Sequence, residues 1–311
     1  MKHKRLITAS LMSIALLAAC GGGGGESPKE PAGEPAPAEA AVTAAPAESS
    51  KESPAELPES SGAAPAEPIK LTSKVLVDEA GIRITAGEFV QDDFLDDGIR
   101  LLIENENPMT CLIDCQLLVV NGYQVGGSFS AQVAAGKKLN TVLEIPRHAL
   151  RTAEIEEIHS VSAAFAVYDP EPWRTVLKPE EKVIFDDGTK AAEPSDPGTE
   201  VFFKEGVHVS ARMVRNDPFL GTGIILYLKN EGERTVYAEA KNLSIDGYML
   251  EGYSGTILWP GKRSIGKIYL ADGDLAENGI TDPKEAELYV GLMSAETMED
   301  IVSGTGTFKI G

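Results

Sequence analysis

One short pattern occurs twice in this chain. Val119-Val120-Asn121-Gly122-Tyr123-Gln124-Val125 returns as Ser244-Ile245-Asp246-Gly247-Tyr248-Met249-Leu250. Asn-Gly or Asp-Gly between apolar runs marks a β-hairpin, because a type I′ turn needs positive φ at both central residues. The two glycines lie 247 − 122 = 125 positions apart. Sliding the chain by that offset aligns residues 75–186 with 200–311 without a gap, giving 20 identities in 112 pairs. Fifteen of them fall between Asp92 and Lys137. An offset held this long means that a whole folding unit has been duplicated. At about 110 residues the unit is domain-sized, well beyond the ~20–50-residue period of a solenoid repeat.

Within each copy the apolar residues alternate as half-buried strands require. Ile99, Leu101 and Ile103 match Ile224, Leu226 and Leu228, and Val161, Ala163, Phe165 and Val167 form a further strand, as do Leu288, Val290 and Leu292. One short helical turn is expected near Arg147–Ala153 and again near Asp274, with Asp272 or Asp274 as its cap and Gly279 at the left-handed C′ position. Seven or eight short strands per copy predict an all-β fold of two tandem antiparallel β-sandwiches. The expected boundaries are 71–188 for the first domain, 189–198 for a linker and 199–311 for the second. The linker, with Pro194 and Pro197, is short enough to restrict relative motion.

The segment before the repeats has a different character. Lys2, Lys4 and Arg5 precede an apolar run from Leu6 to Leu17, too short for an ordinary bilayer span, which ends in Leu17-Ala18-Ala19-Cys20. These residues resemble the bacterial lipoprotein signal, a likeness that implies cleavage of residues 1–19 and a diacylglyceryl thioether on Cys20. Acyl chains at ~0.8 kcal/mol per buried methylene would then hold the protein on the outer face of a cell membrane. Residues 20–70 are almost entirely Gly, Ala, Pro, Glu, Ser and Lys. Such a stretch buries too little apolar surface to offset the entropy of ordering, so a disordered tether is expected.

The run Gly223–Asn230 with the polar turn after it, then Leu243–Tyr248, then Trp259-Pro260-Gly261-Lys262, resembles the immunoglobulin-like domains of secreted Gram-positive lipoproteins. The first copy departs from that pattern at Ala135-Gly136-Lys137, which lacks the proline. The resemblance implies fold and compartment; most members of that group have no assigned activity, and it brings no function with it.

Residues that might carry chemistry are few. Asp92, Asp93, Asp96 and Asp97 form an oxygen-rich loop of the kind that suits calcium, without the spacing of an EF-hand. Cys111 and Cys115 face Val236 and Ala240 in the other copy and read as core positions, not as a disulfide or a metal pair. His148, His159 and His208 sit in no recognisable catalytic motif. Tyr123 and Tyr248, with Lys137 and Lys262, are the shared candidates for a recognition surface, since aromatic and basic loop residues often form one.

The net charge of −20 divides into +3 for residues 1–20, −6 for 21–70, −10 for 71–188 and −7 for 189–311. Two acidic folded segments argue against nucleic acid and against docking on anionic lipid headgroups. The expectation is therefore a lipid-anchored extracytoplasmic binding module. Its partners would be the membrane, through the anchor, and an unknown extracytoplasmic protein or cell-wall component. No cofactor, metal or catalytic residue is expected. The alternatives are a lipoprotein that binds calcium or a small solute, at the Asp92–Asp97 loop or between the domains, and more remotely a cell-envelope hydrolase.

Overall fold

The computed structural model describes residues 71–310 except 92–95, 127–128, 172, 191, 218 and 272. The first repeat runs β1 (Lys74–Glu79), β2 (Ile82–Val90), β3 (Asp97–Asn105), β4 (Cys111–Val120), β5 (Tyr123–Gln124), β6 (Ser130–Val133), β7 (Lys138–Ile145), α1 (Arg147–Thr152), β8 (Ser160–Asp169), β9 (Arg174–Leu177) and β10 (Glu181–Asp186). The second runs β11 (Thr199–Lys204), β12 (Val207–Asp217), β13 (Gly221–Asn230), β14 (Val236–Ile245), β15 (Tyr248–Leu250), β16 (Ser254–Leu258), β17 (Arg263–Tyr269), α2 (Asp274–Glu277), β18 (Glu285–Ser294) and β19 (Asp300–Lys309).

Each element has its counterpart about 125 residues on, with one exception. Where the first repeat breaks into β9 and β10 around Pro179, the second has the single strand β19, with Gly304 at the matching place. Proline has no N–H to give to a ladder, so it interrupts pairing that the other copy continues.

In the first repeat the antiparallel sheet β1-β2-β3-β7 shares a core with a second layer in which β10, β8, β4 and β5 are neighbours. The chain crosses between layers from β3 to β4 and returns at β7, which lies beside β3, while β8 pairs with β4. This is the Greek-key arrangement of an immunoglobulin-like sandwich. Ile84, Ile99, Leu101, Ile103 and Ile113 are fully buried in its core. Each such side chain contributes ~1.5–3 kcal/mol by leaving water. The second repeat builds its own core from Val209, Ile224, Leu226, Leu243, Leu288 and their neighbours.

The repeated turns form as their sequences require. Asn121 (φ 51°) and Gly122 (φ 81°) are both left-handed, as are Asp246 (φ 48°) and Gly247 (φ 86°). The side chains at the first turn position do the same work in each copy. Asn121 Oδ1 accepts the N–H groups of His159 (2.8 Å) and Ser160 (3.0 Å), and Asp246 Oδ1 those of Lys284 (3.0 Å) and Glu285 (2.9 Å). Asn105 and Asn230, both 1% exposed, also match. Asn105 Nδ2 donates to the carbonyls of Met109 and Val133, and Asn230 Nδ2 to those of Arg234 and Leu258. Each satisfies buried main-chain carbonyls where a strand leaves the sheet.

The helical turns differ from expectation at their starts. Gly273 occupies the N-cap of α2 with no side-chain cap, and Asp274 Oδ2 instead accepts the N–H of Ala271 at 2.7 Å; Asp272 lies outside the described residues. Gly279 is left-handed (φ 71°), as expected, and Glu154 takes the same conformation (φ 56°) at the equivalent place after α1.

The two sandwiches are not separate beads. All of the described residues belong to one compact unit. Strand β5 pairs in parallel with β17, Tyr123 opposite Arg263 and Gln124 opposite Ser264. A single ten-stranded sheet therefore runs from β10 through the first repeat into β17, β13, β12 and β11 of the second.

Candidate functional site

The residues that the sequence singled out divide sharply once placed. The first group has been consumed by the junction between the repeats. Tyr123 is 2% exposed, so it is not a surface residue. Its ring lies 6.4 Å from that of Tyr227 at a 57° tilt, and the Arg263 guanidinium sits 5.5 Å over its centroid. Arg263 also contacts the Glu193 carboxylate, which accepts the Tyr227 hydroxyl at 3.0 Å. Burial and the neighbouring Glu193 both push the Tyr227 hydroxyl pKa up. Lys262 is likewise engaged: its Nζ lies 2.7 Å from Glu181 Oε1, across the junction, and Ser162 Oγ donates to the same oxygen at 2.6 Å.

Two further contacts lock the junction. Gln124 Nε2 donates to the Ile257 carbonyl (2.8 Å), and its Oε1 accepts the N–H of Trp259 (2.8 Å). The Trp259 side chain packs on Leu117, Val119 and Ala164, the outward face of the first repeat. The bulge after Cys115 lets Leu117 and Val119 face that way while Leu118 and Val120 stay in the core. The linker is tied down as well. Ser195 N–H and Oγ both donate to Glu154 Oε2, at 3.0 and 2.6 Å. Arg212 approaches Glu154 at 3.7 Å and Asp196 at 3.9 Å.

The acidic loop is only partly described, since Asp92 and Asp93 lie outside the described residues. Asp96 and Asp97 both engage Arg147. Asp96 Oδ1 accepts the Arg147 N–H at 3.0 Å, and Asp97 Oδ1 accepts from Arg147 Nη2 at 2.8 Å. Together they anchor the start of α1. Asp217, the counterpart of Asp92, accepts the N–H groups of Phe219 (2.9 Å) and Leu220 (2.7 Å). These bonds hold its carboxyl below the ordinary range. Among the described residues no group of three or more His, Cys, Asp or Glu is placed to hold a metal ion.

Cys111 is fully buried and Cys115 is partly buried against the same core, and both thiols are free. Burial pushes the Cys115 thiol up to about 12, which makes it a poor nucleophile. His159 Nδ1 lies 3.0 Å from Asp187, and His208 Nδ1 lies 2.7 Å from Glu200 with its ring stacked on Phe203. His148 is exposed on α1.

What stays exposed lies on both repeats. Tyr248 is half exposed, with Met249 beside it, and Lys137 projects from its turn on the first repeat. The outer face of β16, β14 and β18 carries Tyr237, Ile257 and Tyr289, with Tyr253 just ahead of β16. The Tyr237 and Tyr253 hydroxyls touch, and Lys241 lies 5.2 Å over the Tyr289 ring while pairing with Glu239 at 2.5 Å. Gly255 and Gly291 flank Glu239 on the same face, and a Cβ on Gly255 would collide with the Tyr237 and Tyr253 hydroxyls. In the first repeat the position of Tyr289 is Ala164, fully buried in the cluster capped by Trp259. Of the three covered residues, Ala164 corresponds to the tyrosine Tyr289, and Leu117 and Val119 correspond to Asn242 and Ser244. No local signal in the sequence marks this patch; the alternation Tyr237, Glu239, Lys241 reads as an ordinary solvated strand face.

No known family model matches the chain, and no curated protein sequence matches it. Solved structures give weak similarities. The YadV chaperone is 9% identical over 73% of this chain and 100% of its own, with a TM-score of 0.23. Red sea bream transglutaminase is 13% identical over 78% of this chain and 31% of its own, with a TM-score of 0.21. A protein of unknown function from Porphyromonas gingivalis W83 is 11% identical over 74% and 98%, with a TM-score of 0.20. Scores this low carry no functional argument.

Proposed function

We propose that this protein is a lipid-anchored extracytoplasmic binding module whose recognition surface is the open face of the second repeat. The observation that supports the reading is the asymmetry between equivalent faces. Ala164 of the first repeat is buried beneath Trp259 beside Leu117 and Val119, whereas its counterpart Tyr289 lies on a face of the second repeat that also carries Tyr237, Tyr253 and Ile257. Tyrosines supply large contact area at low entropic cost and are enriched at interfaces. The first repeat would then act as a rigid base and the tether as the spacer that carries both away from the bilayer. Its partner would be an extracytoplasmic protein or a cell-wall component.

The anchor is part of the proposal and rests on the sequence around Cys20. None of the helices among the described residues is long and apolar enough to cross a membrane. The test has two arms. Mass spectrometry of the native protein should find Cys20 at the mature N-terminus carrying acyl chains; an unmodified Cys20, or fractionation with the cytosol, rejects the anchor. Crosslinking on intact cells should give adducts that Tyr253→Ala with Tyr289→Ala removes while leaving thermal unfolding unchanged. Adducts that survive the double substitution place the partner elsewhere.

A further inference from the structure

The tyrosines of the second repeat's open face lie down along the sheet. Gly255, Glu239 and Gly291 pair in one row across β16, β14 and β18, and Ser303 on β19 continues it. Residues paired across strands share a face, so this row has two glycines where side chains would otherwise stand. A Cβ on Gly255 would overlap the Tyr237 and Tyr253 hydroxyls, and one on Gly291 would lie 3.2 Å from Tyr289 Cε1. Ring atoms at the height of a Cβ mean that the rings reach across the glycine row instead of projecting from the sheet. The touching hydroxyls of Tyr237 and Tyr253, with Glu239 beside Gly291, close the row. The result is a flat aromatic shelf, bounded on one side by Ile257 and Met293. Tyr253 and Ile257 are exposed and Tyr237 and Tyr289 half-buried, so the shelf is accessible.

The first repeat shows that the fold does not require it. Tyr237, Tyr253 and Tyr289 align with Leu112, Ser128 and Ala164, and Gly255 and Gly291 with Ser130 and Ala166. Of the row and its rings only the acid is kept, as Asp114 for Glu239.

The surroundings select among ligands. The charges set among the rings, Glu239 and Lys241, pair with each other at 2.5 Å. Glu287 and Asp300 are exposed toward the two ends of the face, and residues 71–311 carry a net charge of −17 (−10 and −7 for the two repeats). A polyanion would be repelled. The remaining polar groups are hydroxyls: Ser303 opposite Gly291 and Thr305 opposite Tyr289, both exposed. The closed row offers no socket for the anchoring side chain on which protein interfaces depend. A pyranose ring suits each feature. Its weakly positive C–H groups fit the negative face of an aromatic ring, and its hydroxyls both donate to and accept from Ser and Thr. Lys241 already lies over the Tyr289 ring, so stacking falls to Tyr253 and Tyr237. Three inter-strand steps of ~4.8 Å separate β16 from β19, so a ligand touching both Tyr253 and Ser303 must span about 14 Å.

Resting on the reading of this face as the recognition surface, we propose that its ligand is a neutral glycan of β-linked pyranose rings. The rings stack on Tyr253 and Tyr237, and the hydroxyls of a later ring meet Ser303 and Thr305. Equatorial linkages keep successive ring faces in line, as a flat shelf requires.

Isothermal titration of the full chain with cellohexaose, chitohexaose, their disaccharides and polygalacturonate tests this. Saturable binding of at least one hexasaccharide is expected, tighter than that of its disaccharide and of polygalacturonate. Tyr253→Ala should weaken it at least ~10-fold, equivalent to about 1.4 kcal/mol. Tyr253→Phe, which keeps the ring, should bind as the wild type does. Trp173→Ala, which removes an exposed aromatic of the first repeat, should leave binding unchanged. The thermal midpoint should not move in Tyr253→Ala, because the side chain is exposed. No binding of either hexasaccharide, equal binding by Tyr253→Ala, equal affinity for the disaccharides, or tighter binding of polygalacturonate overturns the proposal. The intact-cell adducts separate that failure from failure of the surface itself. Adducts that still depend on Tyr253 and Tyr289 leave the face standing with a ligand of another class; adducts independent of both reject the face as well.

Discussion

Tyr123 and Tyr248 stand at the same place in two copies of one hairpin, yet one is 2% exposed and the other 50%. The local structure of the two turns is the same, so the difference comes entirely from what each copy meets. Tyr123 is covered by Tyr227 and Arg263 of the second repeat, and Tyr248 has no such cover among the described residues. Substitution should report this directly. Tyr123→Ala is expected to destabilise by about 3 kcal/mol, in the range of buried aromatic truncations, and Tyr248→Ala by less than ~0.5 kcal/mol. Urea midpoints of the two variants check it, and equal losses would mean that the junction contributes nothing.

This pair also shows how far the sequence could be read. The duplicated hairpin, the alternating strands and Gly279 after the helical turn are local signals, and the structure carries each of them. The junction is not local. Lys262 meets Glu181 across 81 positions and Gln124 meets Trp259 across 135. Two tandem domains were legible from the offset, but a turn lysine gives no sign that an acid from the other copy will claim it. Asp96 and Asp97 show the same limit, because their partner Arg147 lies about fifty positions on.

The Asp97–Arg147 pair is partly buried, with side-chain exposures of 18% and 33%. Asp97→Asn should therefore cost about 1 kcal/mol, more than a typical exposed ion pair. Loss of the Arg147 anchor should also show as faster amide exchange in α1 than in β3. If calcium ligation were instead the role of this loop, the substitution would remove a calcium-dependent rise in thermal midpoint.

Asp217 gives the acid side of the stability curve a specific contributor. Its carboxyl is held below the ordinary carboxylate range by the N–H groups of Leu220 and Phe219. A depressed folded-state pKa means that the contribution is complete above the unfolded value and is lost as pH falls through the lower folded value. Asp217→Asn should lower the urea midpoint at neutral pH and narrow its difference from the wild type at the acid end. A gap that stays constant down to the lowest pH would show that the carboxylate charge plays no part.

Thiol chemistry offers a test of the first core. Cys111 is fully buried and the Cys115 thiol is pushed up to about 12 while donating to the Leu117 carbonyl at 3.1 Å. Neither should react with a disulfide reagent in the native protein, and both should titrate once the chain is denatured. Rapid native labelling at Cys115 would mean that β4 opens locally at its bulge.

The junction between the repeats also bears on association between molecules. A contact in which β5 of one repeat meets β17 of the next is head-to-tail, and such contacts generate open chains when both ends are left free. Both ends are in fact present: β15 is the edge equivalent to β5, and β7 the edge equivalent to β17. What has changed is the chemistry of the faces beside them. Leu117, Val119 and Ala164, on which Trp259 packs, become Asn242, Ser244 and Tyr289 in the second repeat, and Trp259 itself corresponds to Ala134 in the first. A second molecule docking through these edges would find Asn242, Ser244 and the bulky Tyr289 where the internal junction has a small apolar seat, and no tryptophan to fill it. The wild type should thus sediment as a monomer. Restoring the seat with Asn242→Leu and Ser244→Val, and the anchor with Ala134→Trp, should produce concentration-dependent head-to-tail association, while either half of the set alone should not. Sedimentation of the wild type as a chain of variable length would show that strand pairing alone carries the contact and that the substitutions between copies serve some other end.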